Sequence, residues 1–141
     1  MQVDWTTVEA VASTKAIDLW YLFPIGMGVN RLLQKNGHFS DGFSTRLDKV
    51  FGTHKWESFF YRKNALPGLY GEETVIQKDA DFSRIIEFLL GRFRSVYAGV
   101  ADNPLILRNS RNSPLFLLCF ASGNPRGSET AVKIAQHILK E

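Results

Sequence analysis

The feature that most constrains the fold is a long amphipathic pattern that lies between two apolar segments. Over residues 81–99, apolar side chains recur every three or four residues, which predicts a helix with one apolar face. The segments on either side, residues 16–23 and 104–121, are rich in aromatic and branched side chains, as strands are. This order predicts an α/β domain in which the helix packs on a sheet. Gly91 lies inside the helix and suggests that another element approaches it closely.

The flanking segments divide into three predicted strands. Residues 16–23 end at Pro24, which cannot donate a ladder hydrogen bond, and their apolar side chains on both faces are typical of a parallel sheet interior. Residues 104–108 and 114–121 form a hairpin around the polar turn NSRNS. We expect strands 16–23 and 104–108 to be parallel and connected through the long helix, while the hairpin adds an antiparallel strand.

The remaining elements are predicted to be mainly helical. Helices are expected at residues 4–14, 43–52 and 53–62, followed by a loop at residues 63–80. Thr6 and Glu9 have the spacing of a capping box, and Gly52 suits the left-handed position after a helix. The last helix is expected to begin at Ser128 as its cap. Its predicted buried face consists of Ala131, Ile134, Ala135, Ile138 and Leu139.

Composition limits the class of protein. The 141 residues suit one domain, with residues 37–80 as a helical and loop insertion, and 45% hydrophobic residues are enough for a core. A single cysteine excludes an intrachain disulfide. There is neither a signal-peptide pattern nor an apolar run near the roughly 20 residues of a membrane-spanning helix. We therefore expect a cytoplasmic protein with no membrane partner.

The first candidate site follows strand 16–23. Two glycines after a strand can direct backbone N–H groups toward an anion, and ligands of α/β sheets bind beyond the carboxyl ends of strands. The candidate substrate-binding residues are Pro24, Gly26, Met27, Gly28, Asn30 and Arg31. The third glycine of a dinucleotide fingerprint is replaced by Arg31, so a tight strand-to-helix turn is the alternative.

The second candidate site would bind nucleic acid, which a net charge of +3 slightly favours. The candidate residues are Trp56, Arg108, Arg111 and Arg126. Aromatic side chains around Trp56 are suited to stacking on bases, and the arginines are suited to binding phosphates. The alternatives are packing of the aromatic side chains against the sheet and an ordinary solvated turn.

Other reactive residue types give no pattern of catalysis or metal binding. His38, His54 and His137 lack metal-ligand spacing among themselves or with Cys119, and no Ser-His-Asp arrangement can be argued. Cys119 is expected to be an inert packing residue, and Asp18 to lie near a solvated strand end or to pair with a nearby base. The sequence therefore predicts no catalytic residue and no metal site.

Three segments carry a family resemblance. AIDLWYLFPIGMGVNRLL, LDKVFGTHKWESFFY and PLILRNSRNSPLFLLCFASGNP resemble, in family order, the C-terminal half of the three-Cys-motif partner protein family, TcmP. The resemblance implies a Rossmann-like, methyltransferase-type fold. It implies that residues 16–23 are the fifth strand, residues 81–99 the following helix, and the hairpin the sixth and seventh strands. The fold class expected is therefore α/β, the C-terminal half of a Rossmann-like mixed sheet with extra helices.

The resemblance also has consequences for function. Such a fold holds S-adenosylmethionine on loops after its first, second and fourth strands, and family relatives have an Asp-Pro-aromatic-Gly segment before the position of Met1. The chain is thus expected to lack its own cofactor site and to act as a methyltransferase-like enzyme only if an N-terminal half is supplied. A protein with a three-cysteine motif is an implied partner, which leaves a docking adaptor as a further alternative.

The absence of a neighbouring strand predicts assembly. Strand 16–23 would have one free edge, and an apolar strand with a free edge invites pairing with another chain. We therefore expect a homodimer or a bound partner chain.

Overall fold

The computed structural model describes residues 3–26, 41–66, 73–78 and 82–140, and they form a mixed α/β fold. The described helices are α1 (Trp5–Ser13), α2 (Asp41–Phe51), α3 (Trp56–Phe60), α4 (Phe82–Val96) and α5 (Ser128–Ile138). The described strands are β1 (Asp18–Phe23), β2 (Tyr61–Leu66), β3 (Glu73–Lys78), β4 (Gly99–Val100), β5 (Leu105–Arg108) and β6 (Pro114–Ser122).

The main sheet is organised around β6. β1 pairs along one side of β6, from Asp18 opposite Ser122 to Phe23 opposite Leu117. On the other side, β4 pairs with the end of β6 and β5 pairs with its beginning. The two short strands thus follow one another along the same side of β6, and β1 forms one edge of the described sheet.

The predicted parallel strand pairing is wrong, because every pairing in the described residues is antiparallel. β1 and β5 do run in the same direction, since both are antiparallel to β6. They are not neighbours, because β6 lies between them. The chain therefore passes from β1 to β5 through α4. The turn after β5 then places β6 between β1 and β5. The predicted hairpin and long helix are confirmed.

One face of the sheet, called here the inner face, forms the main core. Alternate residues of β1 and β6 point to this face, and Phe23, Leu117 and Cys119 are almost completely buried there. Aromatic contacts connect the sheet to the helices: Tyr21 packs against Phe93 of α4. The helix side of this core also contains fully buried Trp5, Phe51, Trp56, Phe60, Ile85 and Leu89.

The other face, called the outer face, is only half covered. α5 packs over β4 and β6, where Phe120, Ala135 and Leu139 form a second small core with Ala101. This packing is close at Gly99, because an added Cβ would lie 2.9 Å from Val132 Cγ2. On the same face of β1, the side chains of Trp20 and Leu22 are 44% and 49% exposed.

The predicted buried face of the last helix is wrong at two positions. Ile134 and Ile138 are 57% and 58% exposed, whereas Ala135 and Leu139 are buried. At 3.6 residues per turn, both isoleucines lie on about the opposite side of α5 from Gln136. Gln136 bonds to Asp102 beyond the β4 side of the sheet. The isoleucines therefore lie on the side of α5 that faces β1.

Several local predictions also differ from the structure. α1 begins after Asp4 without a side-chain cap, so the capping box of Thr6 and Glu9 is not formed. α5 begins after Gly127, again without a side-chain cap, and Ser128 is its first residue. Part of the predicted loop at residues 63–80 forms the antiparallel pair β2–β3. Both strands have little apolar periodicity, which is why the sequence did not indicate them.

Gly52 and Gly91 differ in the space that surrounds each of them. Gly52 ends α2 with a φ of 69°, as predicted, and an added Cβ would lie 2.1 Å from Trp5 Cδ1. Gly91 lies inside α4, and an added Cβ would meet nothing within 4 Å. The expectation that another element approaches Gly91 closely is therefore wrong.

We expect Gly91→Ala to raise the free energy of unfolding by about 0.5–1 kcal/mol, because alanine is the better helix former and the site is open. Gly52→Ala should lower it by about 2 kcal/mol or more, from left-handed strain and the clash with Trp5. Urea unfolding followed by circular dichroism measures both. A destabilised Gly91→Ala variant would contradict the open environment described at this position.

Candidate functional site

The described residues of the first predicted site, Pro24 and Gly26, lie at the same end of the sheet as Arg108 and Arg111 of the second. Phe23 ends β1 opposite Leu117, and Arg108 ends β5 opposite Pro114, so both strands end near the beginning of β6. We call this the turn end, because it carries the β5–β6 turn at residues 109–113. Segments that follow strands of the same direction meet at the same end of a sheet, which is where ligands of α/β proteins bind.

Gly26 at the turn end is held against β6. An added Cβ would lie 1.9 Å from the carbonyl oxygen of Pro114 and 3.3 Å from Leu115 Cα. Ile25 beside it is fully buried, whereas Pro24 is half-buried. Close backbone packing is therefore a sufficient physical reason for glycine at position 26. This supports the alternative of a tight turn for Gly26 itself.

The β5–β6 turn presents arginines on a rigid support. The side-chain oxygen of Asn109 accepts hydrogen bonds from the backbone N–H groups of Arg111 and Ser113, at 3.0 and 2.9 Å. Asn112 has a φ of 60°, which asparagine tolerates better than most residues. Arg108 donates to the carbonyl oxygen of Asn112 at 3.0 Å and remains exposed. Arg111 is also exposed, so the turn end is cationic.

The structure separates the other nucleic-acid candidates from this turn. Arg126 follows the far end of β6, and the nine residues of β6 span roughly 26 Å. Trp56 is fully buried and donates through Nε1 to Asp48 Oδ1 at 2.7 Å, so its ring is packed in the core. Only Arg108 and Arg111 of the four candidates therefore lie together.

Four of the candidate substrate-binding residues lie outside the described residues. These are Met27, Gly28, Asn30 and Arg31. The described part of the first candidate site thus consists of Pro24 and Gly26.

Asp18 and Cys119 have the structural roles that were expected. Asp18 is exposed at the start of β1, and its carboxylate accepts a 2.7 Å hydrogen bond from the hydroxyl of buried Ser122. Burial raises the pKa of the Cys119 thiol to about 12, which removes the reactive thiolate at neutral pH. Within residues 3–26, 41–66, 73–78 and 82–140, no group of three or more His, Cys, Asp or Glu is arranged to hold a metal ion.

The sequence analysis did not identify a cluster of polar side chains around His54, between α2 and α3. His54 Nδ1 lies 2.8 Å from Asp48 Oδ1, and Nε2 bonds to Glu57 Oε2. The hydrogen bond with Asp48, together with Glu57, raises the pKa of His54 above its ordinary value, although partial desolvation opposes this. Asp48 also accepts from Trp56, so the cluster connects the surface to the core. In the sequence, only the spacing of His54 and Glu57, three residues apart, indicated this cluster.

A cleft of about 450 Å³ lies along α5 on the side away from β1. Some of its polar groups bond to one another: Asn103 donates to the carbonyl oxygen of Gln136, and Gln136 donates to Asp102. The buried Oδ1 of Asn103 has no hydrogen-bond partner among the described residues. Lys133 at its rim pairs with Glu129. These bonds attach α5 to the connection between β4 and β5, so we assign the cleft a structural role.

β1 is an edge of the described sheet and carries exposed apolar side chains. They continue from β1 across the outer face to the turn end: Trp20, Leu22, Phe116 and Leu107. Trp20 packs against Phe120 with ring centroids 4.8 Å apart, which orders the indole on the sheet surface. An apolar surface on an edge strand marks a site of interaction more often than scattered apolar residues do.

In comparisons with protein-family models, curated proteins and solved structures, no match to this chain was found. Among the helices in the described ranges, none is long and apolar enough to cross a membrane.

We expect the ring protons of His54 to titrate with a pKa above 6.5 in NMR spectra. Because the folded-state pKa is raised, the stabilisation is complete below the unfolded pKa and is lost as pH rises through the folded value. The urea midpoint of the native protein should therefore fall over that interval, relative to His54→Gln.

Glu57→Gln is the matched variant, since it keeps the bond between His54 and Asp48. Its His54 pKa should lie between that of the native protein and 6.5. A native His54 that titrates at or below 6.5 would contradict the double pairing.

Proposed function

We propose that this chain is an assembly module: it corresponds to the C-terminal half of a TcmP-like, methyltransferase-type fold, and it works only when further strands from a longer chain, a separate polypeptide or a partner complete its sheet. The single observation that carries the proposal is that β1, in the described sheet, pairs on one side only and carries exposed apolar side chains. On this proposal, the chain by itself has no methyltransferase activity.

The arrangement of strands supports the proposal. β1 and β5 run in the same direction and are connected through α4, as the fifth and sixth strands of such a fold would be. The antiparallel β6 follows as the last strand, and α5 is the additional helix. These features are compatible with the far side of a Rossmann-like sheet, whose remaining parallel strands would continue beyond β1.

The chemistry at the turn end is consistent with a missing cofactor site. S-adenosylmethionine carries a positive sulfonium, and proteins commonly bind nucleoside ribose hydroxyls with a carboxylate. The turn end presents Arg108 and Arg111, and the sequence has no acidic residue between Asp102 and Glu129. Gly26 offers no open cradle, because the Pro114 backbone fills the space beside it. The described residues of the turn end therefore lack the carboxylate and the open backbone that would suit this cofactor.

We expect isothermal titration calorimetry of the isolated chain with S-adenosylmethionine to give no binding. A dissociation constant below about 100 μM, or about 5.5 kcal/mol of binding free energy, would contradict the proposal. Circular dichroism of the same sample confirms that the protein in the calorimeter is folded. S-adenosylhomocysteine, which lacks the sulfonium charge, is the matched ligand and should also fail to bind.

A second candidate function is nucleic-acid binding at the turn end. The observation in its favour is the exposed pair Arg108 and Arg111 in a region without acidic residues. Arginines on a rigid turn are suited to phosphate contacts, which lose affinity as salt rises. The burial of Trp56 removes the predicted stacking contact, so such binding would rest on charge alone.

If the turn end binds nucleic acid, we expect Arg108→Gln and Arg111→Gln, each as a single variant, to shorten retention on a heparin column. Arg126→Gln is the matched control: it also removes one cation, at the other end of β6, and should shorten retention less. Equal effects of the three single variants would indicate net charge rather than a site. No retention of the native protein at low salt would exclude this function.

A further inference from the structure

We infer that the open β1 edge binds a second copy of this chain, in an antiparallel and two-fold symmetric pairing of β1 with β1. This inference rests on the proposed assembly role: wherever no polypeptide continues the sheet with parallel strands beyond β1, the second copy covers the same edge. A two-fold pair uses the same surface on both chains and closes, so it produces a dimer and not a fibre.

The two edges of the sheet differ in how well they resist pairing. The edge opposite β1 is made of a two-residue and a four-residue strand, with an irregular register between Leu107 and Arg108. Short strands and bulges are devices that block edge pairing. β1 has six consecutive residues, all in regular register with β6. Self-association is therefore directed to β1.

The residues of β1 are compatible with self-pairing. In an antiparallel pair centred on Tyr21, each Trp20 faces the Leu22 of the other copy, and all four side chains lie on the outer face. Directly opposite side chains on one face lie close enough to pack, with about 4.5–5.5 Å between Cβ atoms. The pairing would thus cover the two most exposed apolar side chains within β1.

The pairing brings no like charges of the two β1 strands directly opposite each other. Asp18 is the only charged residue of β1, and its carboxylate already accepts a hydrogen bond from Ser122. In the same register Asp18 lies opposite Pro24, at the end of the paired region, and so avoids the like charge of its symmetry mate. β1 therefore lacks the inward lysines that commonly protect an edge strand.

The size of the contact predicts its strength. A pair of six-residue strands is a small interface, near or below the roughly 1,200 Å² of the smaller specific complexes. We therefore expect a weak dimer, with a dissociation constant in the micromolar range. Sedimentation velocity over concentrations around this value should show a monomer–dimer equilibrium.

The first test uses two lysine variants. Leu22→Lys places a cation opposite each Trp20 and should weaken the dimer at least tenfold. Leu107→Lys is the matched control, because Leu107 is 36% exposed on the same outer face but lies on β5, two strands away from β1. It should leave the dimerisation constant unchanged. A native protein that is monomeric at all concentrations, or equal losses in both variants, would overturn the inference.

The second test determines the register of the two β1 strands, and it remains informative if Leu22→Lys fails to fold. An oxidised mixture of Trp20→Cys and Leu22→Cys chains should form a disulfide-linked dimer, because these positions are directly opposite each other. Each variant alone should cross-link poorly, since its two cysteines are offset by two residues along the strands. Cys119 is buried, so it adds no background. Equal cross-linking in all three samples would overturn the register.

Failure of the second-copy inference can be distinguished from failure of the proposed function. A monomer that also fails to bind S-adenosylmethionine would overturn only the second-copy inference and leave the assembly module with a different partner. A dimer that binds S-adenosylmethionine would overturn only the incomplete cofactor site.

Discussion

The position of β6 between β1 and β5 is the constraint on which the rest of the structure depends. β6 supplies pairing partners on both sides, so it holds together strands that are more than 80 residues apart in the sequence. Its alternating side chains also contribute to both cores: Leu117 and Cys119 on the inner face, and Phe120 on the outer face. Loss of its register would move each of these side chains to the wrong face.

The inner core stabilises this central strand through aromatic contacts and backbone capping. Phe93 of α4 contacts both Tyr21 and Trp5, so one residue connects the sheet with α1. Arg92 beside it donates to the carbonyl oxygen of Phe51 at 2.7 Å and lies over the Trp5 ring. α4 is therefore both the connection between β1 and β5 and the element that fixes the positions of α1 and α2.

The same topology explains why function is expected at the turn end and the β1 edge. At the turn end, the pairing of β5 with β6 brings Arg108 to Pro114, against which Gly26 also packs. On the outer face, α5 packs over β4 and β6, whereas Trp20 and Leu22 of β1 are about half exposed. The fold is therefore closed where its strands are short and open where its longest edge strand is apolar.

The sequence by itself determined the elements that have strong local signals. The period of apolar residues predicted α4, the hairpin of β5 and β6 followed from apolar runs around a polar turn, and Gly52 indicated the end of α2. The tertiary structure alone decided which strands are neighbours, since an apolar run on two faces is compatible with parallel and antiparallel pairing. It also decided that Ile134 and Trp20 remain exposed and that Trp56 is buried, because burial depends on where α5 and α2 pack, and periodicity along one segment carries no information about that.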